Sequence, residues 1–351
     1  MRLVTNLARV STLSVLVASA GAAADPLFES HDLQPIRIAG PLRELSRDRS
    51  TDPEDRPGTL SYADLDGTEH TFEVGLRPRG HSRRKRDVCT VPPLRVNVRK
   101  REVAGTLFDG QDKLKLVAHC RRSPRHDRYV YKEYLAYRLL NQLTDLSFRV
   151  RALDIEWVDQ GRGDRSERRF GFFIEHKDRL AERLGMRLVE PDHIDYRRLA
   201  PDQSTLMELF QYLIGNTDFS FVAPPEDDTC CHNATLLMDD DGQYWPMPYD
   251  FDISGFVDPP YAVVDQQLPI ANVRRRLYRG FCRDSDVHRR ALEQLREARP
   301  AMVDVLRRET ALDQKSRDQA LAYVDAFYAI LDDPEALQRQ VLRACRGTSD
   351  R

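Results

Sequence analysis

The chain has 351 residues, of which 31% are charged and 41% are hydrophobic, and its formal net charge at pH 7 is −2. A chain of this length exceeds what one hydrophobic core usually serves, so we expect one large two-lobed unit or two domains. The small net charge gives no indication of a polyanionic partner, and we expect no binding of nucleic acid.

The N-terminus has the parts of a secretory signal peptide. Arg2 and Arg9 supply positive charge, residues 13–18 form an apolar centre, and residues 22–24 are the small side chains that signal peptidase requires. The apolar run is too short to span a bilayer. We therefore expect a signal peptide over residues 1–24, cleavage after it, and a periplasmic or secreted protein without a transmembrane segment. The alternatives are a fraying apolar N-terminus and an uncleaved anchor.

The mature part contains all six cysteines, and in an oxidising compartment disulfides are the default over metal ligation. We prefer Cys89 with Cys120, because each adjoins a predicted strand of the same basic region. The neighbours Cys230 and Cys231 are expected to bond outward rather than to each other. The histidines, His232 among them, show no pairing with a nucleophile and are expected to be ordinary surface or core residues.

Along the chain, residues 25–57 are rich in Pro, Asp and Arg, which indicates an extended lead-in. Residues 58–175 are predicted to form a β-rich N-terminal lobe, because apolar and polar residues alternate over 71–74, 94–98 and 113–117. Within that lobe, one helix is predicted over 129–143.

Helical spacing in this segment puts Glu133 on an otherwise apolar stripe with Ala136, Tyr137 and Leu140. Burying an unpaired charge is costly, so a carboxylate on this stripe indicates a nearby cation. The plainer interpretation is a glutamate favoured by the helix dipole near the first turn.

The rest of the chain is predicted to be mainly helical. Residues 148–158 and 169–174 are predicted to form a hairpin, and helical periodicity resumes over 204–214. Residues 176–351 are then expected to form a C-terminal lobe that carries an irregular acidic loop over 215–258. This order predicts an α+β fold of two lobes with a cleft between them.

Charge is distributed unevenly over the two predicted lobes. Residues 77–101 hold ten Lys and Arg with one acid, whereas residues 202–258 hold twelve Asp and Glu with no Lys or Arg. Opposed segments of this kind suit a site where the basic one meets a phosphate and the acidic one holds a cation. Two solvated faces of opposite sign would give the same composition.

The acidic segment has a spacing that suits phosphoryl transfer, which needs divalent cations and a carboxylate that positions the acceptor hydroxyl. Asp218 follows a predicted helix, and Asn233 opens the apolar run 234–238. A turn over 239–242 leads to a second strand that ends before Asp250. That hairpin would bring Asn233 and Asp250, both oxygen donors that Mg²⁺ prefers, to the same end.

Three stretches, Gly215-Asn216-Thr217-Asp218, Asn233 and Tyr249-Asp250-Phe251-Asp252, resemble the catalytic and metal loops of the CotH spore-coat kinases. HipA-type kinases and the secreted Golgi casein kinase share parts of this pattern. The resemblance implies a two-lobed atypical protein-kinase-like fold. It implies Asp218 as the catalytic carboxylate, Asn233 and Asp250 as metal ligands, and Asp252 as a further candidate ligand.

The basic segment carries a second, weaker part of the resemblance. Arg79-Gly80-His81-Ser82 is similar to the Arg-Gly-x-Ser element of the same family, which implies that Arg79, Gly80 and Ser82 face nucleotide phosphates. A lysine that pairs with phosphate and is held by a helix glutamate fits Lys115 or Lys113 with Glu133.

The chain departs from the family pattern at two places. The interval from Asp218 to Asn233 is longer than in these kinases, and its insertion over 219–231 is either a substrate loop or a sign of a decayed site. Pro92-Pro93-Leu94-Arg95 stands where the family often has lysines, and Arg does not simply replace Lys. Because the chain lacks a Gly-x-Gly-x-x-Gly loop and a His-Arg-Asp motif, a conventional protein kinase is excluded.

The sequence thus predicts an exported kinase-like protein. It would transfer phosphoryl groups from ATP or another nucleotide, with Mg²⁺ or Mn²⁺, to a hydroxyl of an envelope or secreted protein or of a small molecule. The alternatives are an inactive envelope binding protein on the same scaffold and a metal-dependent phosphohydrolase.

Overall fold

The computed structural model describes residues 25–80, 82–223 and 230–347. The predicted signal peptide, His81 and the acidic part of the insertion at 224–229 lie outside the described residues. Within the described ranges no helix combines the length and apolar character needed to cross a bilayer.

The first half of the chain is mostly β-structure. Its elements in chain order are α1 (Pro26–Glu29), β1 (Gln34–Gly40), α2 (Leu42–Leu45), β2 (Arg56–Ala63), β3 (Glu69–Pro78), β4 (Leu94–Asn97), β5 (Lys113–Ala118), α3 (Asp127–Leu143), β6 (Val150–Asp159) and β7 (Arg165–Ile174). The predicted strands over 71–74, 94–98 and 113–117, the helix over 129–143 and the hairpin after it are confirmed in kind, because each is specified by local periodicity.

The second half is mainly helical and includes one small sheet. Its elements are α4 (Lys177–Leu184), β8 (Arg187–Val189), α5 (Pro201–Ile214), β9 (Ala234–Met238), β10 (Tyr244–Pro248), α6 (Ser285–Arg308), α7 (Gln314–Asp332) and α8 (Pro334–Leu337), which runs into a π-helical turn (Gln338–Leu342). The predicted helix over 204–214 is confirmed as part of α5.

Seven strands close into a barrel in the order β1-β2-β3-β4-β5-β7-β6. All neighbours are antiparallel except β1 and β6, which run parallel and complete the closure. The expected two-lobed kinase-like fold with a β-sheet N-terminal lobe is therefore wrong. The molecule is a closed mixed β-barrel joined to helices.

The closure comes from residues 25–57, the segment expected to be an extended lead-in. Its strand β1 places Ile36 opposite Ile155 and Ile38 opposite Trp157 on β6. Pro35 interrupts the strand pattern in the sequence, and Ile36 and Ile38 alone are too short a run to indicate a strand. Periodicity also carries no information about which distant strand a segment pairs with. The sequence around β1 therefore gave no indication that this strand closes the barrel.

Two hydrophobic cores follow from the period of the strands, which sends alternate side chains to opposite faces. On β5, Leu114 and Leu116 point into the barrel with side chains such as Ile38 and Trp157. Val117 belongs instead to the second core, which α3, α5, α6 and α7 form against the outside of the barrel. Val117, on the outer face of β5, therefore lies between the barrel and the helices.

All six cysteines are paired, as Cys89–Cys120, Cys230–Cys231 and Cys282–Cys345. The first pair confirms the prediction. The expectation for Cys230 and Cys231 is wrong, because these neighbours bond to each other rather than outward. Three disulfides fit a protein that folds in an oxidising compartment.

The Cys89–Cys120 disulfide ties the long β3–β4 connection to the end of β5. The backbone N–H groups of Thr90 and Val91 both donate to the Cys120 carbonyl, at 2.9 and 3.2 Å. Replacing both cysteines by alanine should lower the free energy of unfolding by about 2–4 kcal/mol. It should also speed amide exchange over residues 82–93, measured by urea denaturation and hydrogen–deuterium exchange.

The matched control removes Cys282–Cys345, which should destabilise the protein without altering exchange over residues 82–93. Unchanged exchange in the Cys89/Cys120 variant would show that the disulfide does not hold this connection.

Candidate active site

One end of the β9–β10 hairpin brings two of the predicted site residues together. Ala234 pairs with Pro248, and the Tyr249 N–H donates to the Asn233 carbonyl at 2.9 Å. Asn233 and Asp250 flank the hairpin with φ values of 52° and 61°. Residues other than glycine rarely adopt this left-handed region, although asparagine and aspartate do so more often than most. The prediction that the hairpin places Asn233 and Asp250 at the same end is confirmed.

Asp218 lies on the loop that leaves α5. The helix ends at Gly215, which has φ 64°, and the Asn216 side chain accepts a hydrogen bond from the Asp218 N–H at 2.9 Å. Asn233 Nδ2 donates to both the Asp218 carbonyl, at 2.7 Å, and Asp218 Oδ2, at 3.0 Å. Asp218 is therefore fixed against the start of the hairpin, with its carboxylate partly open to solvent.

His232 is a functional candidate that the sequence analysis missed. Its Nε2 lies 2.7 Å from Asp218 Oδ1. This hydrogen bond raises the pKa of His232 above its usual value, and the charge of Asp250 acts in the same direction. The only available signal was the position of His232 next to Asn233, which says nothing about a contact with residue 218.

The side chain of Arg83 is the centre of a second cluster. It extends from the connection after β3 and is only 6% exposed. Its guanidinium lies 2.9 and 3.2 Å from the two carboxylate oxygens of Glu133, 2.6 Å from Asp250 Oδ1 and 3.3 Å from Asp252 Oδ2. We call these four side chains the Arg83 cluster. One cation therefore faces carboxylates from α3 and from the loop after β10.

Burial and charge act in opposite directions on the pKa values of this cluster. Burial raises the pKa of Glu133, and it raises that of Asp252 to about 8. Burial acts in the same way on Asp250, but Arg83 and Arg79 outweigh it, so the pKa of Asp250 is lowered. Burial alone would lower the pKa of Arg83, yet the three carboxylates raise it. The guanidinium thus stays charged and holds Asp250 ionised.

Neighbouring hydrogen bonds fix the loop that carries Asp250 and Asp252. The Asp250 N–H donates to the Tyr137 hydroxyl on α3 at 2.8 Å. The Tyr261 hydroxyl donates to Asp252 Oδ2 at 3.0 Å. Phe251, between the two aspartates, packs in the core with its ring 4.6 Å from that of Tyr137. The loop is therefore anchored on both faces.

Two further cations lie beside the Arg83 cluster. Lys115 on β5 places Nζ 4.5 Å from the centre of the Tyr249 ring, and it has no carboxylate within ion-pair distance in the described part of the chain. Burial, with Arg79 as the next cause, lowers its pKa to about 7. Arg79 Nη1 is buried without a hydrogen-bond partner among the described residues. The positive charges of Lys115 and Arg79 both lower the pKa of Asp250.

Of the remaining predicted residues, Gly80, Ser82 and Lys113 are exposed, and Glu133 has a different partner from the one expected. Gly80 is exposed with φ 85°, and Ser82 is exposed at the start of a single 3₁₀ turn. Glu133 pairs with Arg83 rather than with Lys115 or Lys113, and Lys113 is exposed on β5. The prediction of a cation near Glu133 was thus correct in kind, but the cation is an arginine.

The proposed metal ligands do not fit a divalent ion in this arrangement. Asp250 and Asp252 both contact the Arg83 guanidinium, while Asn233 directs its amide group toward Asp218. Within the described ranges no group of three or more His, Cys, Asp and Glu side chains is arranged to hold a metal ion. The space between the carboxylates is already occupied by a positive charge, so we derive no step through a metal.

The chain matches no model of a known protein family, and it has no match among curated proteins.

The Arg83 cluster predicts a large and specific stability effect. Arg83→Met would remove the ion-pair partner of the buried Glu133 and Asp252 carboxyl groups and of the half-buried Asp250 carboxylate, and we expect a loss of about 3–5 kcal/mol in the free energy of unfolding at neutral pH. Adding Glu133→Gln to Arg83→Met should recover part of this loss. Urea denaturation of the single and double variants measures both effects.

The matched control is Arg84→Met. Among the described residues the Arg84 guanidinium has one hydrogen bond, to the Thr51 carbonyl at 3.5 Å, and no ion pair, so its loss should cost less than about 0.5 kcal/mol. Equal losses for Arg83→Met and Arg84→Met would contradict the assignment of Arg83 as the cation of the cluster.

Proposed function

We propose that the protein binds the phosphates of a nucleotide and transfers a phosphoryl group to a hydroxyl of an acceptor. The observation that carries the proposal is the arrangement at one end of the β9–β10 hairpin. A fixed carboxylate, Asp218, is hydrogen-bonded to Asn233 at the hairpin end that also carries Asp250. The cationic side chains Arg79, Arg83 and Lys115 act on Asp250. Catalysis of this transfer depends mainly on positioning and on charge stabilisation.

In this proposal Arg79 and Lys115 bind phosphate oxygens. Arg79 has a buried guanidinium nitrogen without a partner, and Lys115 has no ion pair among the described residues. Cationic side chains directed at transferring phosphoryl groups stabilise the charge that develops in the transition state. Arg83, bound to three carboxylates, orients the site and holds Asp250 in place.

Asp218 would accept the proton of the acceptor hydroxyl as that oxygen bonds to the γ-phosphorus. The bond between the γ-phosphorus and the bridging oxygen breaks, and the nucleoside diphosphate leaves. His232 and Asn233 hold the Asp218 carboxylate in position. The resemblance of residues 215–218, 233 and 249–252 to CotH-type kinases supports the same assignment, without their two-lobed fold.

A non-catalytic nucleotide-binding protein is the second candidate. It is favoured by the full engagement of the Asp218 carboxylate, one oxygen with His232 and the other with Asn233. Such a protein would use Arg79 and Lys115 for binding and would transfer nothing.

A labelled-phosphate assay separates these functions. Purified protein is incubated with γ-labelled ATP, with and without Mn²⁺, and label is followed on the protein itself, on added envelope proteins and in released phosphate. We expect Asp218→Asn to reduce transfer about 10²–10⁴-fold, because a positioned proton acceptor contributes that much. Its affinity for ATP should change less than about twofold.

Asp240→Asn, at the exposed turn on the other end of the same hairpin, should transfer label at the wild-type rate. Binding of ATP without transfer would support the second candidate, and release of label as free phosphate would indicate a phosphohydrolase. Neither binding nor transfer by the wild-type protein would overturn the proposal.

The lowered pKa of Lys115 predicts that nucleotide affinity depends on pH. Because its pKa is lowered to about 7, the ammonium is charged below that pH and neutral above it. A bound phosphate favours the charged form, so binding above pH 7 should take up a proton. We expect ATP affinity to fall by up to about tenfold per pH unit above pH 7.

Titration calorimetry in buffers of different ionisation enthalpy measures both effects. Lys115→Met should remove the proton uptake and flatten the pH dependence, whereas Lys113→Met, on the same strand but exposed, should leave both unchanged. The same proton uptake in wild type and Lys115→Met would exclude Lys115 from phosphate binding.

A further inference from the structure

A cavity of about 340 Å³ lies at one end of the barrel, and no member of the Arg83 cluster lines it. Leu42 and Leu45 of α2 line it, together with Val91 and Leu94. These side chains are apolar, and the volume lies within the range of small-molecule sites. The cavity therefore has the size and lining of a ligand site that is separate from the candidate active site.

Two buried side chains that line this cavity each have one ring nitrogen without a hydrogen-bond partner among the described residues. His119 and Trp157 are 4% and 3% exposed, and neither His119 Nδ1 nor Trp157 Nε1 has a hydrogen-bond partner in the described part of the chain. A buried donor left without a partner costs about 1–3 kcal/mol. The indole N–H can only donate, so the missing partner of Trp157 is an acceptor such as a ligand oxygen.

The mouth of the cavity carries uncompensated positive charge. Arg43, Arg122 and Arg165 are exposed and line the cavity, and none of them forms an ion pair with a carboxylate among the described residues. Of the two acidic side chains there, Asp159 Oδ1 accepts from the Arg43 backbone N–H at 3.4 Å. Glu167 lies 3.5 Å from Arg169 Nη1 and 3.7 Å from His119 Nε2. The three guanidiniums thus remain available to an anionic group.

The wall formed by Val91 and Pro92 lies close in sequence to a residue that is held by a disulfide. The Cys89–Cys120 disulfide and the bonds from Thr90 and Val91 to the Cys120 carbonyl fix it beside His119. A preformed wall lowers the cost of ordering the site when a ligand enters.

We propose that this cavity binds a small apolar carboxylate with a second oxygen at its far end. The carboxylate contacts the arginines at the mouth, and the apolar body packs between Leu45 and Val91. The far oxygen accepts the hydrogen bond of Trp157. The arginines specify the carboxylate of this ligand, the apolar walls specify its body, and the Trp157 indole N–H specifies its far oxygen.

Three probes and one NMR signal test the proposal. The chain has two tryptophans, so ¹⁵N-labelled protein gives two indole signals, which Trp245→Phe assigns. Trp245 already donates to Asp239 at 2.7 Å and serves as the internal control. Titration with 4-hydroxyphenylpropionate should shift the Trp157 signal downfield in a saturable way and leave the Trp245 signal unchanged.

Phenylpropionate lacks the far oxygen and should bind more weakly without the downfield shift. The neutral 3-(4-hydroxyphenyl)propan-1-ol lacks the carboxylate and should also bind more weakly. Replacing Arg43, Arg122 and Arg165 together by glutamine should reduce affinity for the carboxylate at least about tenfold but leave affinity for the alcohol unchanged. Arg101→Gln, at an exposed turn away from the cavity, is the matched control.

Ser46→Phe narrows the cavity and should abolish binding of all three probes. The proposal is overturned if Trp157 shows no saturable shift with 4-hydroxyphenylpropionate up to about 10 mM. It is also overturned if both indole signals move together, or if the triple arginine variant binds the carboxylate as tightly as wild type.

Discussion

The ion cluster around Arg83 joins the parts of the molecule that form the candidate active site. Arg83 comes from a connection of the barrel, Glu133 from α3, and Asp250 and Asp252 from the loop after β10. A buried ion cluster loses hydration free energy, and only close, multiple contacts offset that loss. Here one guanidinium faces three carboxylates, so each element is held at a defined distance from the others.

This constraint explains why the neighbouring groups remain available for chemistry. Since Arg83 holds Glu133 and Asp250, Lys115 and Arg79 are left beside Asp250 without ion pairs of their own in the described part of the chain. The hairpin then adds Asp218, through the hydrogen bond from Asn233. Cationic side chains and a fixed carboxylate lie together because a single cation organises the loop between them.

The sequence was sufficient for features that depend on near neighbours along the chain. Alternation over 113–117 predicted β5, helical spacing predicted α3, and the turn over 239–242 predicted that Asn233 and Asp250 share one end of a hairpin. Glu133 on an apolar stripe correctly indicated a cation nearby. In each case the physical cause is a period or a turn that a short segment contains in full.

Features that depend on distant partners could not be predicted in this way. The parallel pairing of β1 with β6 closes the barrel over a long separation, and nothing in residues 34–40 specifies that partner. The partner of Glu133 was expected to be Lys115 or Lys113, an assignment that rested on spacing and pattern along the sequence, whereas the structure pairs Glu133 with Arg83. His232 was missed because its contact with Asp218 crosses the insertion.

The central claim is that the positive charge between Glu133, Asp250 and Asp252 is the Arg83 guanidinium and not a metal ion. It is tested most directly by a crystal structure of the protein with Mn²⁺ and a non-hydrolysable ATP analogue, recorded at a wavelength where manganese scatters anomalously. The account predicts the Arg83 guanidinium between these carboxylates, no manganese peak among them, and phosphate oxygens on Arg79 and Lys115. A manganese ion bound to Asp250, with Arg83 displaced from it, would contradict the account.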